Sequence, residues 1–200
     1  MSTAADEAAA RARNLRTVSA LAALFVLPLA LSFWMYYGGA WRPAGHSNHG
    51  ELIDPARPLP QARLPDADGG SAIVLFRDRW TLVYVGHGAC DAACRRALLV
   101  MRQVRLALNN DMTRVDRVLL ATDNCCDRAF LAREHAGLSA FDASGEAARP
   151  LIAQFPATDR EHSLFIVDPL GNLLMRYDAR WDPKGLLDDL KKLLKLSHIG

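Results

Sequence analysis

The stretch that decides the fold of this chain is Trp80-Thr-Leu-Val-Tyr-Val-Gly-His-Gly-Ala-Cys90-Asp-Ala-Ala-Cys94-Arg-Arg96. Its continuous apolar run, residues 82–85, predicts a buried strand. Two cysteines follow at the start of an amphipathic helix, where the helix end favours a thiolate over a thiol, and the two arginines act in the same direction. The stretch therefore predicts a reactive thiol pair at a strand–helix junction.

The glycines on both sides of His87 predict that this junction is an open turn. The alternative interpretation is a pair of buried cysteines with only a structural role. The chain contains four cysteines in all, Cys90, Cys94, Cys125 and Cys126. This sparse, even number fits a redox or metal site better than a disulfide-rich scaffold.

The length and charge of the chain limit its function. Its 200 residues, half of them apolar, are enough for one compact domain with additional segments. The net charge of +2 argues against a dedicated nucleic-acid-binding protein. No nucleic acid is therefore expected among its partners.

A membrane anchor is predicted over residues 17–41, which contain no charged residue. Within it, residues 18–37 supply 20 mostly apolar positions, the length that crosses a hydrocarbon core of about 30 Å. Trp34, Tyr36 and Tyr37 lie at one end, as in an interfacial aromatic belt. A cleaved signal peptide is the alternative, because residues 38–40 are small, but the long apolar run favours an uncleaved anchor.

Three arginines precede the anchor within residues 1–16, and one follows it at Arg42. The positive-inside rule places this N-terminal tail in the cytoplasm and the remainder of the chain outside. We therefore expect a single-pass protein of the inner membrane, whether bacterial or mitochondrial in type, with a periplasmic or equivalent extracytoplasmic domain.

A proline-containing linker is predicted over residues 42–59, with the soluble domain over residues 60–200. The linker contains His46 and His49. Two histidines this close could bind a metal, although exposed loop histidines more often have no ligand role.

The soluble domain has the pattern of an α/β fold. Predicted elements include a turn near residues 64–70 with a following strand at 72–76, a poorly patterned region at 138–161, and a final helix capped by Asp182 with Pro183 at its first position. Between these lie strands at 81–86, 115–121, 163–167 and 173–177, and helices at 91–108 and 127–136.

Two strands joined by a crossover helix run parallel, and functional groups gather beyond their carboxyl ends. Cys90 follows the first such strand, and Cys125-Cys126 follows the second. Both cysteine pairs should therefore leave the sheet on the same edge. The second pair has three possible roles: inert buried cysteines, a vicinal disulfide, or a second thiol pair that passes electrons or copper to Cys90 and Cys94.

Two motifs resemble the Sco (SenC) family of membrane-anchored, thioredoxin-like copper chaperones for cytochrome c oxidase. They are Cys90-Asp-Ala-Ala-Cys94 and Asp159-Arg-Glu-His162-Ser-Leu-Phe-Ile-Val-Asp168-Pro-Leu-Gly171. The resemblance spans roughly residues 60–196. It implies a thioredoxin-like fold with one N-terminal transmembrane helix, and copper ligation by Cys90, Cys94 and His162.

The chain departs from the family pattern at several positions. Asp91 and Arg95 occupy the places where prolines usually follow the family cysteines. His87-Gly-Ala replaces an aromatic-Thr-His segment, and the region before His162 is shorter. Residues 124–127 replace an acidic loop that contains proline. These differences indicate a divergent member.

The donor types agree with copper. Thiolates are soft ligands that suit Cu(I), and an imidazole extends such a site to Cu(II). Zinc is the competing metal, but a structural zinc site needs four ligands, and only three are available here unless His87 joins them.

The leading hypothesis is a tethered copper metallochaperone that assists a cytochrome c oxidase subunit with a copper site. The alternative is a membrane-anchored thiol-disulfide oxidoreductase, with Cys90 attacking and Cys94 resolving. The absence of a proline directly before the strand at residue 163 disfavours general disulfide exchange. A third hypothesis is an assembly factor that has lost copper binding.

Overall fold

The structure is a computed structural model that describes residues 3–38, 48–123, 125–197 and 199. Its contacts divide the chain into two compact units, Met1–His46 and Ser47–Gly200. The predicted linker residue His46 lies outside the described residues.

The first unit contains one long helix, α1 (Thr3–Tyr37). Its part from Arg13 to Tyr37, 25 residues, is long and apolar enough to cross a membrane. Pro28 lies inside the helix, as membrane helices tolerate. Residues 18–37, the predicted apolar stretch of the anchor, are therefore helical along their whole length.

The second unit is built on a six-stranded mixed sheet with the order β1-β8-β7-β4-β5-β6 and a separate β2-β3 hairpin. The strands are β1 (Glu51–Pro58), β2 (Ala62–Pro65), β3 (Ser71–Val74), β4 (Trp80–Gly86), β5 (Val115–Ala121), β6 (Ser139–Asp142), β7 (Ser163–Val167) and β8 (Asn172–Asp178). The helices are α2 (Ala92–Ala107), α3 (Arg128–Glu134), α4 (Arg149–Ile152) and α5 (Pro183–Leu196). The predicted α/β class is confirmed.

The central strand β4 is buried along its whole length. It pairs parallel with β5 and antiparallel with β7, with Gly86 opposite Ala121 and Tyr84 opposite Leu164. Because alternate side chains point to opposite faces, the sheet has a core on each side. One core contains Leu82, Tyr84 and residues of α2 and α5, and the other contains Val83, Val85 and residues of the β2-β3 hairpin.

Local signals set the ends of the helices as the sequence predicted. Asp182 caps α5 by accepting a hydrogen bond from the backbone N–H of Lys184, with Pro183 in the first turn. The helix α3 is shorter than predicted, but Gly137 has the expected left-handed conformation, with φ of +77°, and so the chain turns there.

Residues 51–58 were expected within a linker, and here the expectation is wrong. They form the edge strand β1, which pairs antiparallel with β8. The strand was hidden because it is almost entirely exposed and contains prolines, so it lacks apolar alternation. Prolines are tolerated on an edge strand, since its outer N–H groups need no partner.

A second strand, β6, lies in the region that the sequence left unpatterned. It pairs parallel with β5, with Ala121 opposite Asp142. Four residues at a sheet edge with one buried side chain are too short for a period of two to be recognised.

Candidate functional site

The paired cysteines Cys90 and Cys94 lie where β4 passes into α2, and they form a disulfide with their Cα atoms 4.9 Å apart. Only 3% of Cys90 and 0% of Cys94 is exposed. The expectation of an open turn is therefore wrong for the cysteines, although His87 itself is exposed. Cys94 is buried because it faces the core from the first turn of α2, together with Ala97 and Met101.

Asp91 starts the helix α2. Its side chain accepts a hydrogen bond from the Cys94 N–H at 3.0 Å, and its carbonyl accepts from the Arg95 N–H at 2.9 Å. This is an N-cap, so the residue in the place of the first family proline has a defined structural role. Cys90 precedes the cap in a left-handed conformation, with φ of +48°.

Asp123, just beyond β5, fastens the loop that leads to Cys90. One carboxylate oxygen lies 2.7 Å from His87 Nδ1, and the other accepts from the Gly88 N–H at 3.1 Å. The Gly88 N–H also lies 3.0 Å from the Asp123 carbonyl. The hydrogen bond to Asp123 raises the pKa of His87, and the same hydrogen bond lowers the pKa of Asp123. We call this arrangement the Asp123 clamp.

The second pair, Cys125 and Cys126, is also joined by a disulfide. Both residues are half-buried, and Cys126 packs against the core cluster that contains Cys90 and Cys94. Because Gly86 lies opposite Ala121 in a parallel pair, both cysteine pairs follow strand ends at the same edge. The predicted common edge is confirmed.

Arg95 bridges the segments that contain the two pairs. Its Nε donates to the Cys90 carbonyl at 3.2 Å, and its guanidinium lies 4.7 Å from the centre of the Phe130 ring in α3. A guanidinium over an aromatic face is attractive. Arg95 therefore holds the N-terminus of α2 against α3. The next residue, Arg96, donates a hydrogen bond from its Nε to the Ala179 carbonyl at 3.3 Å.

His162 lies directly before β7, which runs antiparallel to β4, so it is at the same sheet edge as the cysteines. Its side chain is 29% exposed, and its Nε2 is 3.7 Å from Glu161 Oε1. Its carbonyl accepts from the Ala179 N–H at 2.7 Å, and Arg96 holds the other side of Ala179. Ala179 therefore links His162 to Arg96, which lies two positions after Cys94.

Tyr84 forms a hydrogen bond with the segment before His162. Its buried hydroxyl donates to the Glu161 carbonyl at 2.9 Å, and burial raises the pKa of the phenol. Gly86 makes room for this contact, because a Cβ there would lie 2.6 Å from the Tyr84 hydroxyl. Tyr84 and Gly86 thus fix the position of the backbone directly before His162.

A cavity of about 310 Å³ opens at this edge, between the end of β4 and the segment before His162. Its lining includes His87, Thr122, Asp159, Arg160 and Glu161. The cavity brings polar and charged side chains to the edge where both cysteine pairs lie.

Thiolates and an imidazole are donors that suit copper, but in this structure the two cysteines are joined to each other in a disulfide. Among the described residues, no three side chains of His, Cys, Asp or Glu gather into a group that could hold a metal ion. Cys90 and Cys94 are oxidised to each other, and metal binding requires thiolates. His49, the described linker histidine, instead lies 3.2 Å from Asp189 through its Nδ1.

Two residues of this site were missed by sequence reasoning, Asp123 and Tyr84. Asp123 was detectable in principle, because it ends the strand that pairs in parallel with β4. Tyr84 was counted only as part of an apolar strand, and nothing in the sequence indicates that its hydroxyl reaches Glu161.

The family model described as "Transmembrane-like, thioredoxin-like, C-terminal domain" matches residues 80–197. The chain belongs to this thioredoxin-like family. The match covers β4, the four cysteines, His162 and α5, and so the predicted thioredoxin-like fold is confirmed. A search among curated proteins finds no match in sequence.

Solved structures with the same fold include Sco proteins. Yeast Sco1 with copper bound is 14% identical, with a TM-score of 0.62 over 72% of this chain and 95% of that chain. BsSco, described as a member of the Sco family of cytochrome c oxidase assembly proteins with a disulfide switch, is 16% identical, with a TM-score of 0.54 over 70% and 96%.

A candidate protein disulfide isomerase from Bacteroides thetaiotaomicron is 13% identical, with a TM-score of 0.53 over 74% of this chain and 94% of that chain. At these identities the comparisons establish the fold. The resemblance to Sco proteins recognised in the sequence therefore extends to the fold of this thioredoxin-like domain.

Proposed function

We propose that this protein is a membrane-tethered, Sco-type metallochaperone that carries copper to a cytochrome c oxidase subunit. The observation that supports this best is the position of three donors at one sheet edge: Cys90 and Cys94 follow β4, and His162 directly precedes the antiparallel neighbour β7. Copper is the cargo of the protein, not a resident cofactor.

The disulfide state determines whether cargo can bind. When Cys90 and Cys94 are oxidised, neither sulfur is a thiolate ligand. Reduction frees two soft donors whose Cα atoms are 4.9 Å apart, and His162 supplies an imidazole from directly before the neighbouring strand. Thiolates hold Cu(I), and the imidazole supports Cu(II), so the oxidised domain cannot hold the cargo and the reduced domain can bind it.

The N-terminal apolar helix supports a membrane location for this chemistry. The arginines before α1 favour a cytoplasmic N-terminus and a domain on the extracytoplasmic side of an inner membrane. Two features of the chain support delivery to a membrane-bound oxidase: the apolar helix and the similarity in fold to BsSco.

Copper titration of the reduced full-length chain in detergent micelles tests this function. We expect one tight Cu(I) per chain, lost in Cys90→Ala, and Cu(II) binding weakened at least tenfold in His162→Ala. His49→Ala is the matched control, because His49 contacts Asp189 on α5, and it should bind copper as the wild type does.

A specific observation favours a second function, thiol-disulfide oxidoreduction on oxidase cysteines. The Cys90–Cys94 disulfide lies at a helix N-terminus, which stabilises a leaving thiolate, and one similar fold belongs to a candidate disulfide isomerase. Absence of copper binding, together with a measurable dithiol couple at Cys90 and Cys94, would replace the chaperone by this enzyme.

A further inference from the structure

The Cys125–Cys126 pair is not among the three proposed copper ligands, yet it follows the strand that pairs in parallel with the strand before Cys90 and Cys94. We propose that Cys125–Cys126 is a second redox centre, which accepts electrons from a partner protein's dithiol and passes them to the buried Cys90–Cys94 disulfide. This goes beyond copper binding and does not require it.

The Asp123 clamp holds the two cysteine-containing loops together. Asp123 stands two residues before Cys125, and its contacts reach His87 and Gly88, which precede Cys90. Thr122 adds a backbone hydrogen bond of 2.9 Å to the Gly86 carbonyl. The loop before each pair is therefore fixed to the other loop directly.

Arg95 joins the same segments by a second set of contacts. It holds the Cys90 carbonyl and stacks over Phe130, which lies in the first turn of the helix after Cys126. Cys126 also packs against the cluster that contains both Cys90 and Cys94. Two sets of contacts, at Asp123 and at Arg95, thus connect the segments that contain the two pairs at one sheet edge.

Unequal exposure sets the direction of transfer. Cys90 and Cys94 are buried, whereas Cys125 and Cys126 are half-buried. Thiol-disulfide exchange needs a thiolate to reach a sulfur atom. A protein-sized dithiol therefore meets the Cys125–Cys126 disulfide first, and the buried pair receives electrons from within the molecule.

The transfer balances without any further reagent. The partner's dithiol becomes a disulfide and leaves Cys125 and Cys126 as two thiols. One of them, as a thiolate, attacks the Cys90–Cys94 bond, forming a cross-loop disulfide and releasing one cysteine of the buried pair, which takes a proton. The second thiol then loses its proton and attacks the cross-loop bond, which restores Cys125–Cys126 and releases the other buried cysteine to be protonated.

The test uses the metal-free, oxidised full-length chain in detergent micelles, with reduced thioredoxin as the probe. It measures the rate at which each of the two disulfides is reduced. Thiols are alkylated at timed intervals. Trypsin then separates the pairs, because residues 80–95 contain Cys90 and Cys94, and residues 118–128 contain Cys125 and Cys126. We expect the Cys90–Cys94 disulfide to be reduced at least tenfold more slowly in the double variant Cys125→Ser/Cys126→Ser than in the wild type.

Misfolding of the double variant cannot imitate this result, because it would expose Cys90–Cys94 and accelerate reduction. A second variant, Asp123→Ala, keeps all four cysteines and removes the side-chain contacts of the clamp. We expect it to slow reduction of the buried pair several-fold while the outer pair reacts at the wild-type rate. An unchanged rate at Cys90–Cys94 in both variants overturns the proposal, whatever the copper titration gives, since no metal is present.

Discussion

Asp123 contacts both His87 and Gly88, and this makes it the residue whose charge most directly affects the loop before Cys90. The pair with His87 is exposed, so solvent screens it and its contribution to stability is small. Its main effect is on the protonation of the histidine.

We expect Asp123→Asn to lower the pKa of His87, because the hydrogen bond to Asp123 is the largest cause of its raised value. The measurement is an NMR titration of the histidine ring protons. His135 is the internal control, because burial lowers its pKa and the substitution should leave it unchanged. Equal His87 titrations in the two proteins would contradict the clamp.

The sign of the pH dependence follows from the two shifts. The raised pKa of His87 means that its contribution is complete below the unfolded value of 6.5 and is lost as pH rises through the native pKa. The lowered pKa of Asp123 means that its contribution is present above the unfolded value of 3.8 and is lost as pH falls through the native pKa. The clamp is therefore strongest between about pH 4 and pH 6.5.

At the scale of elements, Asp189 on α5 holds the start of the folded domain through hydrogen bonds. This carboxylate is only 4% exposed. It accepts from the backbone N–H groups of His49 and Gly50 at 2.7 and 2.9 Å. These residues lead directly into β1, so α5 holds the edge strand in register with β8.

We expect Asp189→Ala to lower the free energy of unfolding by about 1–3 kcal/mol, because two backbone donors and the start of β1 lose a charged acceptor. Urea unfolding gives the energy, and amide hydrogen exchange should show faster exchange in β1 than in the wild type. Asp188→Ala is the matched control, since Asp188 is exposed, and it should stay within about 0.5 kcal/mol. Unchanged exchange in β1 would contradict this role of Asp189.

Elements with strong local signals were predictable from sequence. The buried run of β4, the Asp182 cap and the stop at Gly137 each depend on a few neighbouring residues. The strands β1 and β6 were not, because an exposed edge strand and a four-residue strand have no apolar period. Their position depends on pairing with β8 and β5, which are distant in sequence.

The functional site was also predictable only in part. Parallel strand order was enough to place Cys125-Cys126 at the edge of Cys90. It could not predict that Cys90 and Cys94 are buried, because their burial depends on how α2 packs against the sheet.

At the scale of the whole molecule, the predicted orientation has a direct consequence for the anchored chain. We expect alkaline phosphatase fused to the C-terminus to be active in bacterial cells, because that enzyme folds only outside the cytoplasm and the arginines of residues 1–16 favour retention of the N-terminus inside. Replacing Arg11, Arg13 and Arg16 by glutamate should reduce the activity. An inactive C-terminal fusion beside an active N-terminal one would contradict this topology.

The edge strand β1 affects how neighbouring copies of this domain meet when they are crowded. Tethering raises the local concentration of any domain, and an unpaired strand edge is a template for association with another chain. Pro55 and Pro58 have no N–H to offer a further strand, and charged side chains at Glu51 and Arg57 disfavour an apolar contact. The strand that completes the sheet thus also protects it against edge-to-edge aggregation where such proteins are crowded.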